Sequence, residues 1–272
     1  MTISTIKLSD GYAIPQIGLG LWQVKEEADF HNAFQAAFKA GYRLFDTAQM
    51  YGNEQLLGSS IAKTKIDRQK LFITTKINVN NFGSRKTLAS SQESLNKLGL
   101  EYIDLMLLHF PVPVLRKNSW LSLEKLKKQG LIRSIGVSNY TIRHLEEMKK
   151  YASEMPVVNQ VELHVFLQQP ELLEYCREHK IVVEAYSPLA HGQEMDNPII
   201  KAIATKHSKS YAQVMLRYLI ELGLVVIPKS ISSDRIKENI ALFDFKLDKS
   251  DLNELKGLDK NLRTCWNPSR VP

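Results

Sequence analysis

A chain of 272 residues, 44% hydrophobic and 24% charged, has an ordinary globular composition and enough length for a core that needs no disulfide or metal staple. The formal net charge of +7 raises nucleic acid as a partner, but Lys and Arg are scattered among acids, as in Arg143-His-Leu-Glu-Glu-Met-Lys-Lys150. No aromatic-interleaved basic stripe appears, so a small polyanionic ligand fits the excess better. Cys176 and Cys265 lie far apart without metal-ligand spacing, no basic-then-apolar leader opens the chain, and no apolar run approaches the roughly 18 residues of a membrane span. The expectation is a cytoplasmic protein with neither a metal nor a membrane partner.

In chain order, Ile6-Lys-Leu-Ser-Asp-Gly-Tyr-Ala-Ile14 carries two short apolar runs around Asp10-Gly11, the signal of a two-residue hairpin that would plug whatever follows. Short β-type runs then recur at 16–21, 42–46, 71–76, 104–109, 132–137, 157–161, 181–185 and 224–227. Helical patterns fall between them at 28–40, 54–63, 84–98, 119–129, 142–150, 170–178, 198–206 and 212–222. Gly41, Gly99 and Gly130 each stand where a helix should stop before a strand. Eight strand–helix units in strict alternation predict an α/β fold, a (β/α)8 barrel, which typically needs about 250 residues. An open doubly wound sheet would bring G-x-G-x-x-G after its first strand. Here Gly18-Leu-Gly-Leu-Trp-Gln23 lacks the third glycine. After Asp248 the pattern gives one capped helix, 249–258, and then a tail with Trp266 and Pro268 that is expected to fold over the barrel mouth. No linker interrupts the sequence, so residues 1–272 are expected to form one domain.

Three of the runs end in ionisable residues: Tyr42-Arg-Leu-Phe-Asp46, Leu71-Phe-Ile-Thr-Thr-Lys76 and Asp104-Leu-Met-Leu-Leu-His109. Tyr51 follows the first. Singly, each has a bland reading: Asp46 as a helix cap, Tyr51 as a loop aromatic, Lys76 as a solvated charge, His109 as a structural imidazole. Parallel strands place their C-terminal ends on one face, however, which would bring all four to one pocket. There Lys76, kept charged by Asp46, would favour the Tyr51 phenolate. Lowering a tyrosine pKa from near 10 by about 3 units needs about 4 kcal/mol. His109 could hydrogen-bond a substrate carbonyl beside the tyrosine hydroxyl, giving an oxyanion-type site with a general acid in it.

With Gly41-Tyr-Arg-Leu-Phe-Asp-Thr-Ala-Gln-Met-Tyr-Gly-Asn-Glu54, Ile73-Thr-Thr-Lys76 and Leu107-Leu-His-Phe-Pro111, the chain resembles the aldo-keto reductases over nearly its whole length. The resemblance implies NADPH-dependent reduction of aldehydes and ketones, with Asp46, Tyr51, Lys76 and His109 as the catalytic tetrad and Tyr51 as general acid. It also implies that Ser138, Asn139 and Gln160 hold the nicotinamide carboxamide, that Tyr186 stacks on the ring, and that Ser187 and Leu189 lie by the pyrophosphate. Ile227-Pro-Lys-Ser-Ile-Ser-Ser-Asp-Arg-Ile-Lys-Glu-Asn239 joins the last strand to a helix start, a common phosphate site in barrels. By resemblance, Lys229, Ser230 and Arg235 hold the adenosine 2′-phosphate, and Glu238 and Asn239 contact adenine.

Trp22 and Phe110, with Tyr51 and His109, are expected to line the substrate pocket. Phe110 stands where the family often has tryptophan, and His164-Val165 where many relatives have His-Pro. The length and short loops look most like the microbial 2,5-diketo-D-gluconate reductase branch, which implies a monomer acting on that sugar acid, methylglyoxal-like dicarbonyls or other small carbonyls. Two rival readings are a non-catalytic NADPH-sensing binding protein of the same fold and a Schiff-base aldolase using Lys76. The aldolase would leave the phosphate motif unexplained.

Overall fold

The computed structural model describes residues 3–272. Thr5–Lys7 (β1) and Ala13–Pro15 (β2) form an antiparallel ladder with Ile6 opposite Ile14. Its turn differs from the two-residue expectation. Leu8 N–H donates to Tyr12 O at 2.8 Å, leaving three residues, Ser9 to Gly11, in the loop. Gly11 takes φ +96, the left-handed residue that closes such a turn.

Eight parallel strands follow: β3 (Gly18–Gly20), β4 (Leu44–Asp46), β5 (Phe72–Ile77), β6 (Ile103–Leu108), β7 (Ile132–Ser138), β8 (Val158–Glu162), β9 (Val182–Tyr186) and β10 (Val225–Val226), each hydrogen-bonded to the next. Parallel bridges Ile17–Val226 and Gly20–Lys229 join the last strand to the first and close the barrel. A Cβ on Gly20 would sit 2.9 Å from the Ile227 carbonyl oxygen, so closure at that point requires glycine.

The helices α1 (Glu27–Ala40), α2 (Glu54–Ala62), α3 (Ser84–Leu98), α4 (Arg116–Lys128), α5 (Ile142–Met148) and α6 (Pro170–Glu178) each follow one strand. In α1 the spacing of Phe30, Ala33, Phe34 and Ala37 puts all four against the barrel. Gly41 at φ +107 ends that helix. Strict alternation fails after β9. Both α7 (Pro198–His207) and α8 (Tyr211–Glu221) precede β10, and α9 (Ser233–Ile240) follows it. Helix α7 packs on α8 and on α10 (Lys249–Lys256) rather than on a strand. It is an added outer helix.

Alternation along each strand separates two cores. Met106 and Leu108 face the helix layer with Ile73, Ile77, Leu95 and Leu98. Leu105 and Leu107 face inward with Leu44, Phe72, Val158 and Val225, and the hairpin's Leu8 and Ile14 pack against these inward residues. Because Leu44, Phe72, Val158 and Val225 open their strands, the hairpin seals the N-terminal end of the barrel. The inward series then turn polar toward the other end: Leu44 to Asp46, Phe72 to Lys76, Leu105 to His109, Val158 to Gln160 and Glu162, Val182 to Glu184 and Tyr186.

Candidate functional site

The four strand-end residues meet at the C-terminal mouth. Asp46 ends β4, Lys76 lies one residue before the end of β5, and His109 follows β6 directly. Tyr51 is carried by a single 3-10 turn, Gln49–Tyr51, closed by Gly52 at φ +72. Fully buried Lys76 donates from Nζ to Asp46 Oδ1 at 2.6 Å, to the Thr47 carbonyl at 2.9 Å and to the Tyr51 hydroxyl at 3.4 Å. Those contacts use the three donors of an ammonium. The edge of one ring meets the face of the other where Tyr51 and His109 pack, centroids 5.7 Å apart.

Two side chains outside the expected set fix this turn. Gln49 Nε2 donates to Ser90 O at 3.0 Å and Ser94 Oγ at 2.9 Å, while its Oε1 accepts from Asn78 N–H at 2.9 Å and from Asn81 Nδ2 at 3.0 Å. Asn53 Nδ2 donates to Leu21 O and Val24 O, and its Oδ1 accepts from Thr47 Oγ1 at 2.5 Å. Sequence spacing gave no sign of either. Both belong to the Gly41–Glu54 motif, where a polar residue buried beside an ionisable one was the available clue.

Burial pulls the Lys76 pKa down, but the charge and hydrogen bond of Asp46, joined by Tyr51 and Glu184, together outweigh it and hold the lysine pKa above its ordinary value. Burial, with a smaller contribution from the Lys76 charge, drops His109 to about 3, so the imidazole is neutral. Tyr51 departs from expectation. Its pKa is raised, because burial outweighs the pull of Lys76 and Asp46 opposes that pull. The phenol therefore keeps its proton at neutral pH, and Lys76 acts by offsetting part of the burial cost as phenolate develops.

The expected nicotinamide residues form one network. Ser138 Oγ donates to Gln160 O at 2.9 Å, and Asn139, at φ +64, donates through Nδ2 to His109 O at 3.1 Å. Tyr186 OH donates to Asn139 Oδ1 at 2.8 Å. Gln160 Nε2 is committed to Asp46 Oδ2 and Glu184 Oε2, each at 2.8 Å, which leaves its carbonyl oxygen for a ligand. Ser187 and Leu189 sit in the loop after β9, where the Ser187 hydroxyl engages His191 Nε2 at 2.9 Å. The second expected group runs from the loop after β10, with Lys229 and Ser230, along α9, with Arg235, Glu238 and Asn239. Ser232 caps that helix by accepting from Arg235 N–H.

Two aromatic pairs flank the mouth: Trp22 with His191, centroids 5.8 Å apart, and Phe110 with Trp266, 5.0 Å apart. The tail that carries Trp266 is tied down on both sides. Glu162 Oε1 accepts from Thr264 N–H at 2.5 Å, Thr264 Oγ1 at 2.7 Å and Cys265 N–H at 3.1 Å. Across the mouth, Arg143 and His144 bind Val271 O, and Arg116 binds Pro272 O. The expected fold-over of the tail is present, but Glu162 and His191, whose Nε2 lies 3.2 Å from Cys265 Sγ, were not anticipated as its neighbours.

The sequence profile of the Aldo/keto reductase family matches residues 16–260. The chain belongs to that family. It is 45% identical over 267 residues to a glyoxal reductase of Bacillus subtilis, covering 98% of this chain and 97% of the relative. It is 42% identical over 272 residues to methylglyoxal reductase DkgA of Escherichia coli K12, covering 98% of each. Among solved structures, the Bombyx mori aldo-keto reductase in complex with NADP superposes with a TM-score of 0.91 at 35% identity, covering 97% of this chain and 95% of that one. For this aldo/keto reductase the barrel and the family expectation therefore stand.

Proposed function

We propose that this aldo/keto reductase is a monomeric, single-domain, cytoplasmic enzyme that uses NADPH to reduce small aldehydes and ketones, with glyoxal- and methylglyoxal-like dicarbonyls as its substrate class. The observation that carries the chemistry is the Lys76 ammonium, held 2.6 Å from Asp46 and 3.4 Å from the hydroxyl of Tyr51, beside a neutral His109. The relatives named for glyoxal and methylglyoxal reduction support the substrate class.

The residues present fit NADPH. Lys229 and Arg235 are exposed and, among the described residues, paired with no acid, at the start of a capped helix where a phosphate is favoured. Ser138, Asn139 and the Gln160 carbonyl would hold a carboxamide, and Tyr186 a ring. When bound, NADPH supplies hydride to the substrate's carbonyl carbon. Tyr51 then gives its proton to the carbonyl oxygen, and Lys76 stabilises the phenolate left behind. His109 is neutral, so it orients that oxygen through a ring N–H without competing as an acid. Asp46 keeps Lys76 charged through the cycle.

Tyr51→Phe tests this directly. Reduction of methylglyoxal should fall by about three orders of magnitude, while NADPH binding, followed by quenching of protein fluorescence, stays as in the wild type. Activity near wild type would remove Tyr51 from the role.

A further inference from the structure

We propose that Glu184 is a positioning residue for this reaction: it carries the proton of a buried acid pair, keeps the negative charge on Asp46 opposite Lys76, and thereby governs how readily Tyr51 gives up its proton. The inference deepens the function proposed above and rests on Tyr51 being the proton donor.

Glu184 and Gln160 are register neighbours on β9 and β8. Both point into the barrel, where Glu184 is 0% exposed, and Asp46 and Gln160 are each 2% exposed. One amide nitrogen, Gln160 Nε2, donates to both acids at 2.8 Å. Two carboxylates gathered around a single nitrogen in a dry interior cannot both ionise cheaply, so they hold one proton between them.

Geometry decides which acid keeps it. Asp46 has the Lys76 ammonium at 2.6 Å, whereas Glu184 touches no cation and its Oε1 has no partner. The charge belongs on Asp46 and the proton on Glu184. Burial, reinforced by the Asp46 charge, pushes Glu184 up to about 8.

The groups facing Glu184 are few. Asp46 comes from β4, Tyr51 from the turn after it and Lys76 from β5. Gln160 is the polar neighbour on β8, and β10 offers only Val225 and Val226. Glu162, farther along β8, is occupied by Thr264 and Cys265.

The sign follows. Below about 8 Glu184 is neutral. Above it, ionisation adds a buried negative charge that resists phenolate formation, so Tyr51 retains its proton further into the alkaline range.

The test is the pH profile of kcat/KM for 4-nitrobenzaldehyde with NADPH. In Glu184→Gln the alkaline limb should move down by about one pH unit, because the charge opposing phenolate is gone. Glu184→Asp, which keeps the charge, should restore the wild-type limb. Should the glutamine variant fail to fold, Glu184→Thr removes the same charge and carries the same expectation. A neutral variant whose profile superimposes on the wild type overturns the inference, as does an aspartate variant that shifts like the glutamine. Those outcomes leave the role of Tyr51 standing if Tyr51→Phe is inactive. An active Tyr51→Phe overturns the function reading itself and this inference with it.

Discussion

A buried acid at each end of the barrel holds a cationic partner, and the two pairs are wired in opposite ways. At the N-terminal end, Asp104 at the start of β6 takes Arg68 at 2.5 Å and Arg133 at 3.2 Å, and also accepts from Ile73 N–H at 2.9 Å. Tyr102 lies between the two guanidiniums, 4.2 and 3.7 Å from its ring centroid. Every strong contact of that acid leads back into the framework. At the mouth, the lysine of the second pair turns one of its donors to Tyr51, the proton donor of the proposed reaction. A salt bridge whose contacts all return to the framework holds elements in place, while one with a donor directed outward can do chemistry.

Variants can break that contrast. The largest effect belongs to Lys76→Met, which should cost about three orders of magnitude in carbonyl reduction. Urea titration of the same variant should show a loss of about 3 kcal/mol from the stranded Asp46. Ile14→Ala, in the hairpin that seals the base, should cost about 3 kcal/mol through a cavity, without a kinetic signature. A smaller effect is expected of Arg235→Ala. KM for NADPH should rise about tenfold and that for NADH should not move, since the loss of one charge-assisted contact is worth about 1.4 kcal/mol. Asp104→Asn leaves two partly exposed arginines rather than a stranded buried charge, so it should cost least, about 1 kcal/mol, while keeping kcat/KM within about twofold. If Asp104→Asn instead lowered turnover by an order of magnitude, the two ends would be coupled and the contrast would fail.

Legibility in the sequence follows the same division. Asp46, Lys76 and His109 were readable because each interrupts a hydrophobic run at its end, and parallel topology does the rest. Glu184 was not. It lies inside Ile181-Val-Val-Glu-Ala185, a run that reads simply as a strand, and only inward alternation with Val182 and Tyr186 shows that it enters the polar layer. The direction of the Tyr51 shift was missed for a related reason. Sequence reveals which charges are neighbours but not how completely water is excluded, and here exclusion decides the sign. Helix α7, expected at 198–206, was counted as an ordinary strand–helix unit because a helix packed on other helices has the same periodicity as one packed on a strand. The hairpin's third loop residue was likewise hidden, since Asp10-Gly11 suits both turns and only the ladder through Leu8 and Tyr12 separates them.

The tied-down tail has a consequence for variation at the mouth. Trp266 is 74% exposed and meets Phe110 from a segment that contributes no strand or helix to the barrel. Its neighbours on the tail are fastened largely through backbone groups, Thr264 and Cys265 N–H on one side and the Val271 and Pro272 carbonyls on the other. Trp266 is therefore free to vary, whereas Pro268 is buried and Asn267 caps the tail's short turn. Replacements at position 266 can recast the aromatic wall that Trp266 forms with Phe110 at little cost to folding.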